Sequence, residues 1–174
     1  MKKYVLFFLL ISVGLTSWSQ ERTHEFKFDA LGFLATPSVE ITYEHALNIH
    51  SGIGVSSYFR IDPPSSKAYE AFSLAPFYRQ YFYDNRTMGN KGFFIEALFQ
   101  YTNGEGEADN STDDDPIFED YSDIGIGFGG GVKWITPNGF TVEGVVGIGR
   151  NFKTDDLSND IFFRWGINLG YRFF

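Results

Sequence analysis

From residue 160 to the end, apolar and polar side chains alternate more cleanly than anywhere else in the chain. Ile161, Phe163, Trp165, Ile167, Leu169, Tyr171 and Phe173 stand against Arg164, Gly166, Asn168, Gly170 and Arg172. A period of two belongs to a strand with two unlike faces, and a helix cannot use it. Seven earlier segments repeat the pattern. Residues 24 to 35 set Phe26, Phe28 and Ala30 in phase, 38 to 47 set Val39, Ile41 and Tyr43 against Ser38, Glu40, Thr42 and Glu44, and 51 to 61 carry Ile53, Val55, Phe59 and Ile61 on one face. Residues 71 to 82 have Phe72, Leu74, Pro76 and Tyr78 in phase, and 92 to 101 have Phe93, Ile95, Ala97, Phe99 and Tyr101 opposite Glu96 and Gln100. Residues 122 to 135 place Ile124, Ile126, Phe128, Val132 and Trp134 against glycines and Lys133, and 140 to 152 carry Phe140, Val142, Val146 and Ile148.

Strands of about ten residues with one aromatic-rich face suit a wall that meets lipid on one side and a lumen on the other. Aromatic residues make up 19% of the chain, an excess for a water-soluble domain of this size. In hydrocarbon an open sheet edge leaves backbone groups unpaired, so the sheet must close. The expected fold is all-β, an eight-stranded antiparallel up-and-down transmembrane β-barrel. Pro76 has no N–H to donate, and a mid-strand position calls for a bulge there. The links set the orientation. Thr136-Pro137-Asn138-Gly139 is a tight turn and the link at Asn48 is short, whereas 62 to 70, 102 to 121 and 153 to 159 are longer and polar. Short periplasmic turns and longer outer loops give that parity. The first link, around Pro37, is short for an outer loop, and the fourth, 83 to 91, is long for a periplasmic turn.

Ahead of the strands, Lys2 and Lys3 precede an apolar run from Tyr4 to Leu15, followed by the small residues Ser17 and Ser19. This reads as a signal peptide over residues 1–19, with the barrel domain over 20–174. The apolar run falls short of the roughly 20 residues a membrane-spanning helix needs. The chain has no cysteine, which removes disulfides, thiolate metal sites and a lipidated N-terminal cysteine. Its formal charge of -8 argues against a nucleic-acid partner.

The last strand, Leu169-Gly170-Tyr171-Arg172-Phe173, resembles the C-terminal assembly signature of bacterial outer-membrane barrels, with Phe174 one residue beyond it. With the signal peptide, the whole chain resembles the small eight-stranded OmpA/OmpX-type barrels and, more narrowly, outer-membrane barrels of Bacteroidota. The resemblance implies the outer membrane as location, and outer-membrane lipid, lipopolysaccharide and the barrel assembly machinery as partners.

The polar faces gather Glu40, Glu44, Glu96 and Glu143 with Arg60, Arg79, Lys133, Arg164 and Arg172. Buried charges need partners, and an eight-stranded interior is just wide enough for side chains to fill it. The expectation is a salt-bridged plug, with a gated ion path as the alternative. Gly125, Gly127, Gly129, Gly131, Gly147 and Gly149 leave room on the same face for Phe94, Leu98 and Phe162. The spacing Gly125-x-Gly127-x-x-Gly130 has the letters of a dinucleotide-binding loop but lies inside a strand with no helix after it. His24, His45 and His50 show no paired metal spacing. Neither a catalytic residue nor a cofactor or metal site is assigned.

Residues 102 to 123 hold Glu105, Glu107, Asp109, Asp113, Asp114, Asp115, Glu119, Asp120 and Asp123 without a lysine or arginine. Asp109, Asp113 and Asp120 fall in an EF-hand-like frame, but Asp114 replaces its glycine and Asp120 its bidentate glutamate. The segment reads as a solvated acidic outer loop. Divalent cations that bridge it to lipopolysaccharide are candidate partners, with Arg150 and Lys153 nearby for phosphates. The leading function is non-enzymatic, envelope-structural or surface-interacting. The alternatives are a narrow channel for ions or small solutes, a lipid- or peptide-cleaving barrel enzyme, and a soluble lipocalin-like barrel.

Overall fold

The computed structural model describes residues 23–62, 69–82, 89–107, 118–152 and 160–173, which leaves the signal-peptide reading outside the described residues. Eight strands run in chain order: β1 His24–Asp29, β2 Ser38–Asn48, β3 Ser51–Arg60, β4 Tyr69–Tyr81, β5 Gly92–Glu107, β6 Phe118–Ile135, β7 Phe140–Asn151 and β8 Ile161–Phe173. Each pairs antiparallel with its neighbour, and β1 pairs with β8 from His24↔Phe173 to Asp29↔Asn168, which closes the barrel.

The alternation decides which way each side chain faces. Most apolar residues of the strands stand outside, with Phe93 73%, Phe163 72%, Phe128 68% and Phe99 62% exposed. Inside, Arg79, Lys133, Thr141 and Glu143 are fully buried. Two small apolar clusters share the interior, Ala75, Phe77 and Leu98 with Phe162 against them, and Tyr81, Phe94 and Val145. The glycines of β6 and β7 make room for these rings: a Cβ at Gly131 would meet the Phe94 ring, and one at Gly127 or Gly149 the Phe162 ring.

Four details differ from the sequence reading. The first strand does not run to residue 35: it stops at Asp29, whose carboxylate accepts from Leu31 N at 3.1 Å and opens a short helix, α1, Ala30–Ala35. A side chain that caps the next turn offers the backbone an alternative to the ladder, and here it wins. The link expected as a loop over 102 to 121 is partly strand, because β5 and β6 stay paired as far as Glu107↔Phe118. Pro76 forms no bulge. The β4–β5 register is the same at Leu74↔Tyr101 and Phe77↔Leu98, with the bulge displaced to Glu70/Phe72. The described end of the fourth link packs against the second turn: Asn90, at φ 58, donates from its backbone to Ile49 O and from its side chain to Ser51 O.

The Thr136–Gly139 turn is tight, as its sequence suggests. Gly139 N donates to Thr136 O at 2.9 Å, and φ of 97° at Gly139 suits a residue without a Cβ. The C-terminal signature lies on the outer face, where Phe173 stacks on Phe26 across the closing seam at 5.6 Å.

Candidate functional site

In the half of the barrel nearer the tight turns, inward residues of seven strands meet in one charged layer. Glu44 from β2 is its centre. Its Oε2 accepts from Lys27 Nζ at 2.7 Å, Arg79 Nη1 at 2.9 Å and Lys133 Nζ at 2.9 Å, while Oε1 accepts from the Tyr81 hydroxyl. Glu143 from β7 takes the other side of the same cations, with Oε2 2.7 Å from Arg79 and 2.8 Å from Lys27. Arg79 Nε donates to Glu96 Oε2 at 2.8 Å, and Arg172 Nε to Glu25 Oε2 at 3.0 Å. The Arg79 guanidinium is also sandwiched between the rings of Phe77 and Phe94, 4.3 and 4.4 Å from their centroids. That geometry suits a planar cation over aromatic faces.

Glu25, Glu44 and Glu143 bring carboxylate oxygens within 4.8 Å of one another, a spacing that could hold a metal ion. The protein supplies its own cations there: Lys133 Nζ lies 3.2 Å from Glu25 Oε1, and Lys27 Nζ 3.5 Å from that same oxygen. Four carboxylates (Glu25, Glu44, Glu96, Glu143) thus face four cations (Lys27, Arg79, Lys133, Arg172), and the layer is close to neutral.

Of the interior residues expected from sequence, Glu44, Arg79, Glu96, Lys133, Glu143 and Arg172 join this layer. Arg164 pairs with Glu40 nearer the loop end, Nη2 to Oε1 3.0 Å, and reaches Glu96 of the layer with Nη1 at 3.5 Å. Arg60 stays out of both, donating to the Glu70 carbonyl at 3.2 Å beside the Tyr69 ring. The sequence reading missed Glu25, Lys27 and Tyr81. The signal was present, since Phe26 and Phe28 facing out oblige Glu25 and Lys27 to face in. His24 and His45 show no paired metal spacing in sequence, yet the β1–β2 register places them opposite each other with rings 4.7 Å apart, and His24 Nδ1 meets the Tyr43 hydroxyl at 2.7 Å. Gly125, Gly127 and Gly130 all lie within β6, as their alternation required.

The acidic hairpin continues past the apolar belt, which ends at Tyr101 on β5 and Ile124 on β6. Glu105 pairs across from Asp120 and accepts from the Tyr69 hydroxyl at 2.8 Å. That bond, then burial, holds the Tyr69 hydroxyl above its ordinary value. Tyr121 beside it is pushed up to about 12, by burial first and then by the carboxylates of Glu70 and Asp123. Asp123 itself faces inward and is buried. Asp109, Asp113, Asp114, Asp115 and Lys153 lie outside the described residues.

No protein-family model matches the sequence, and no curated protein matches it. Among solved structures, Neisserial surface protein A is similar, with a TM-score of 0.49 and 13% identity over 87% of this chain and 95% of that one.

Proposed function

We propose that this chain is a non-enzymatic outer-membrane barrel of the small eight-stranded kind. It is sealed along its axis and contributes to the envelope or to surface contacts through its loop end. The observation that carries the reading is the inversion of polarity, an outer wall of exposed aromatics around an interior of paired charges. A soluble barrel would bury the first and expose the second. The sealed layer speaks against the narrow channel, because Arg79, Lys133 and Glu143 are in contact with their partners at no measurable exposure. The soluble lipocalin-like alternative fails for the same reason as any water-soluble reading: Phe93, Phe99, Trp134, Phe163 and Trp165 form an apolar belt.

Expression with cell fractionation tests the location, and refolding tests the environment. The protein should fractionate with the outer membrane and fold only in detergent or bilayer, with a gel mobility that changes on heating. A monodisperse monomer without detergent would overturn the reading.

A further inference from the structure

The wall of the barrel is lower on one side. β1 ends at the pair Asp29↔Asn168, so residues 161–167 of β8 rise past it towards the loop end, and on the other side β2 rises past it through Val39 and Ser38. Among the described residues the notch between them holds no strand. α1 stands there, against β8 and β2, with no buried residue of its own and with Phe33 and Leu34 exposed.

Alternate residues of a strand direct N–H and C=O to opposite neighbours. The Ile167 amide points across the notch, donating to Asp29 Oδ1 at 3.1 Å. The backbone groups of Trp165 and Phe163 therefore face the same way, and among the described residues no strand pairs with them there. In a lipid wall such groups call for a partner, at a cost of several kcal/mol each when unsatisfied.

Behind the notch lies a cavity of about 220 Å³. Its polar wall includes Arg60, Arg164, Glu40 and Glu70, and it extends to Phe163 and Trp165. Arg164 is only 9% exposed; its Nη2 holds Glu40, while Nη1 has no hydrogen-bond partner among the described residues and lies 3.5 Å from Glu96 Oε1. The volume is below that of a pocket enclosing a whole drug-sized ligand, so an occupant would leave much of itself outside. The wall offers two cations, Arg60 and Arg164, and three carboxylates, of which Asp29 already accepts from the amides of Leu31 and Ile167, which leaves Glu40 and Glu70. A purely anionic group would meet the carboxylates, whereas a zwitterion matches both signs.

We propose that this notch is a lateral lipid site, in which an amphiphile from the surrounding leaflet places a zwitterionic phosphate-and-amine headgroup in the cavity and leaves its acyl chain outside, against Phe163, Trp165 and the exposed face of α1. The phosphate meets Arg60, Arg164 and the open amides of β8; the amine meets Glu70 and Glu40. The site rests on the membrane reading above and goes beyond it, because a sealed structural barrel has no need of a ligand.

The test uses the Trp18→Phe, Trp134→Phe protein folded in maltoside micelles, with Trp165 at the mouth as the remaining tryptophan and reporter. Lysophosphatidylethanolamine should change its emission saturably. Arg60→Gln should weaken the apparent affinity about tenfold, the loss expected for one charge-assisted hydrogen bond, and Ser73→Phe, which fills the cavity, should abolish saturation. Lysophosphatidylglycerol and free phosphoethanolamine should each bind at least about tenfold more weakly, the first for want of an amine and the second for want of a chain. Unsaturable binding, or equal binding by either probe or by both variants, overturns the proposal. Heat-dependent gel mobility separates the two readings: a chain that does not fold in micelles defeats the membrane barrel, whereas a folded chain without saturable binding defeats only the lateral site.

Discussion

Glu44 Oε2 accepts hydrogen bonds from three cations at once, so each of those cations depends on the others for its geometry. Removing one partner from a buried, mutually bonded set leaves an uncompensated charge, at about 3–5 kcal/mol. Arg79→Ala is therefore expected to lower the urea stability of the barrel in micelles by that order, because Glu44, Glu96 and Glu143 all lose a donor. Arg60→Ala, at the loop end and bonded only to a carbonyl among the contacts described above, should lower it by less than about 1 kcal/mol. Equal losses for the two would show that the layer has no special weight. At the outer mouth, Tyr121 keeps its proton up to about 12 in the folded state, against about 10 unfolded. The folded state favours the neutral hydroxyl, so its contribution is whole below pH ~10 and fades as pH rises from there through about 12. Spectrophotometric titration of the folded protein should show a late-ionising tyrosine that Tyr121→Phe removes. At this scale the sequence was informative wherever the phase of a strand was clear. Glu44, Glu96 and Lys133 follow directly from it. Which of the inward charges touch is not legible, because contacts such as Lys27 to Glu143 depend on how far each strand is staggered around the barrel.

Each strand declared itself by its alternation, but its ends did not. Asp29 looks like one more inward polar residue of the first segment, and only the structure shows its carboxylate turned to Leu31 N and Ile167 N, ending β1 there. Residues 102–107 and 118–121 have no apolar phase to reveal that they are strand; cross-strand pairing alone carries β5 and β6 onward to Glu107↔Phe118. Pro76 was expected to disturb the ladder, yet it occupies an outward position while the register continues unchanged on both sides. The acidic segment can be tested as an element in its own right. Deleting residues 108–117 and joining the hairpin with a short turn should leave folding and heat-dependent gel mobility intact, while reducing calcium-dependent binding to lipopolysaccharide-containing vesicles. Unchanged vesicle binding would make the loop inert, and failure to fold would make it structural.

For the molecule as a whole, the closed barrel was legible because eight alternating segments leave few other ways to satisfy backbone and apolar faces together. The notch beside β1 was not: Ala30–Ala35 breaks the alternation, but an apolar run that short does not separate helix from strand. A barrel whose interior charges are bonded to one another should carry no current. Planar-bilayer recordings are expected to show none, and steady single-channel steps lost in Glu143→Ala would overturn the sealed layer.

The charge layer also bears on how the chain reaches this state. Arg172 and Glu25 lie 147 residues apart in sequence, and Lys27 and Glu143 lie 116 apart, yet each pair shares a hydrogen bond. These bonds join the first strand to the last two, so they form only when the ends of the chain meet. Contacts of such long range are slow to establish, because the intervening chain must be ordered first. Until then Glu25 and Lys27 have no counter-charges from β7 and β8, and a partial barrel that entered the hydrocarbon would carry them unpaired. Closure and burial are therefore bound to one late event, and a chain shortened by its final strand should stall outside the bilayer instead of inserting as a smaller sheet.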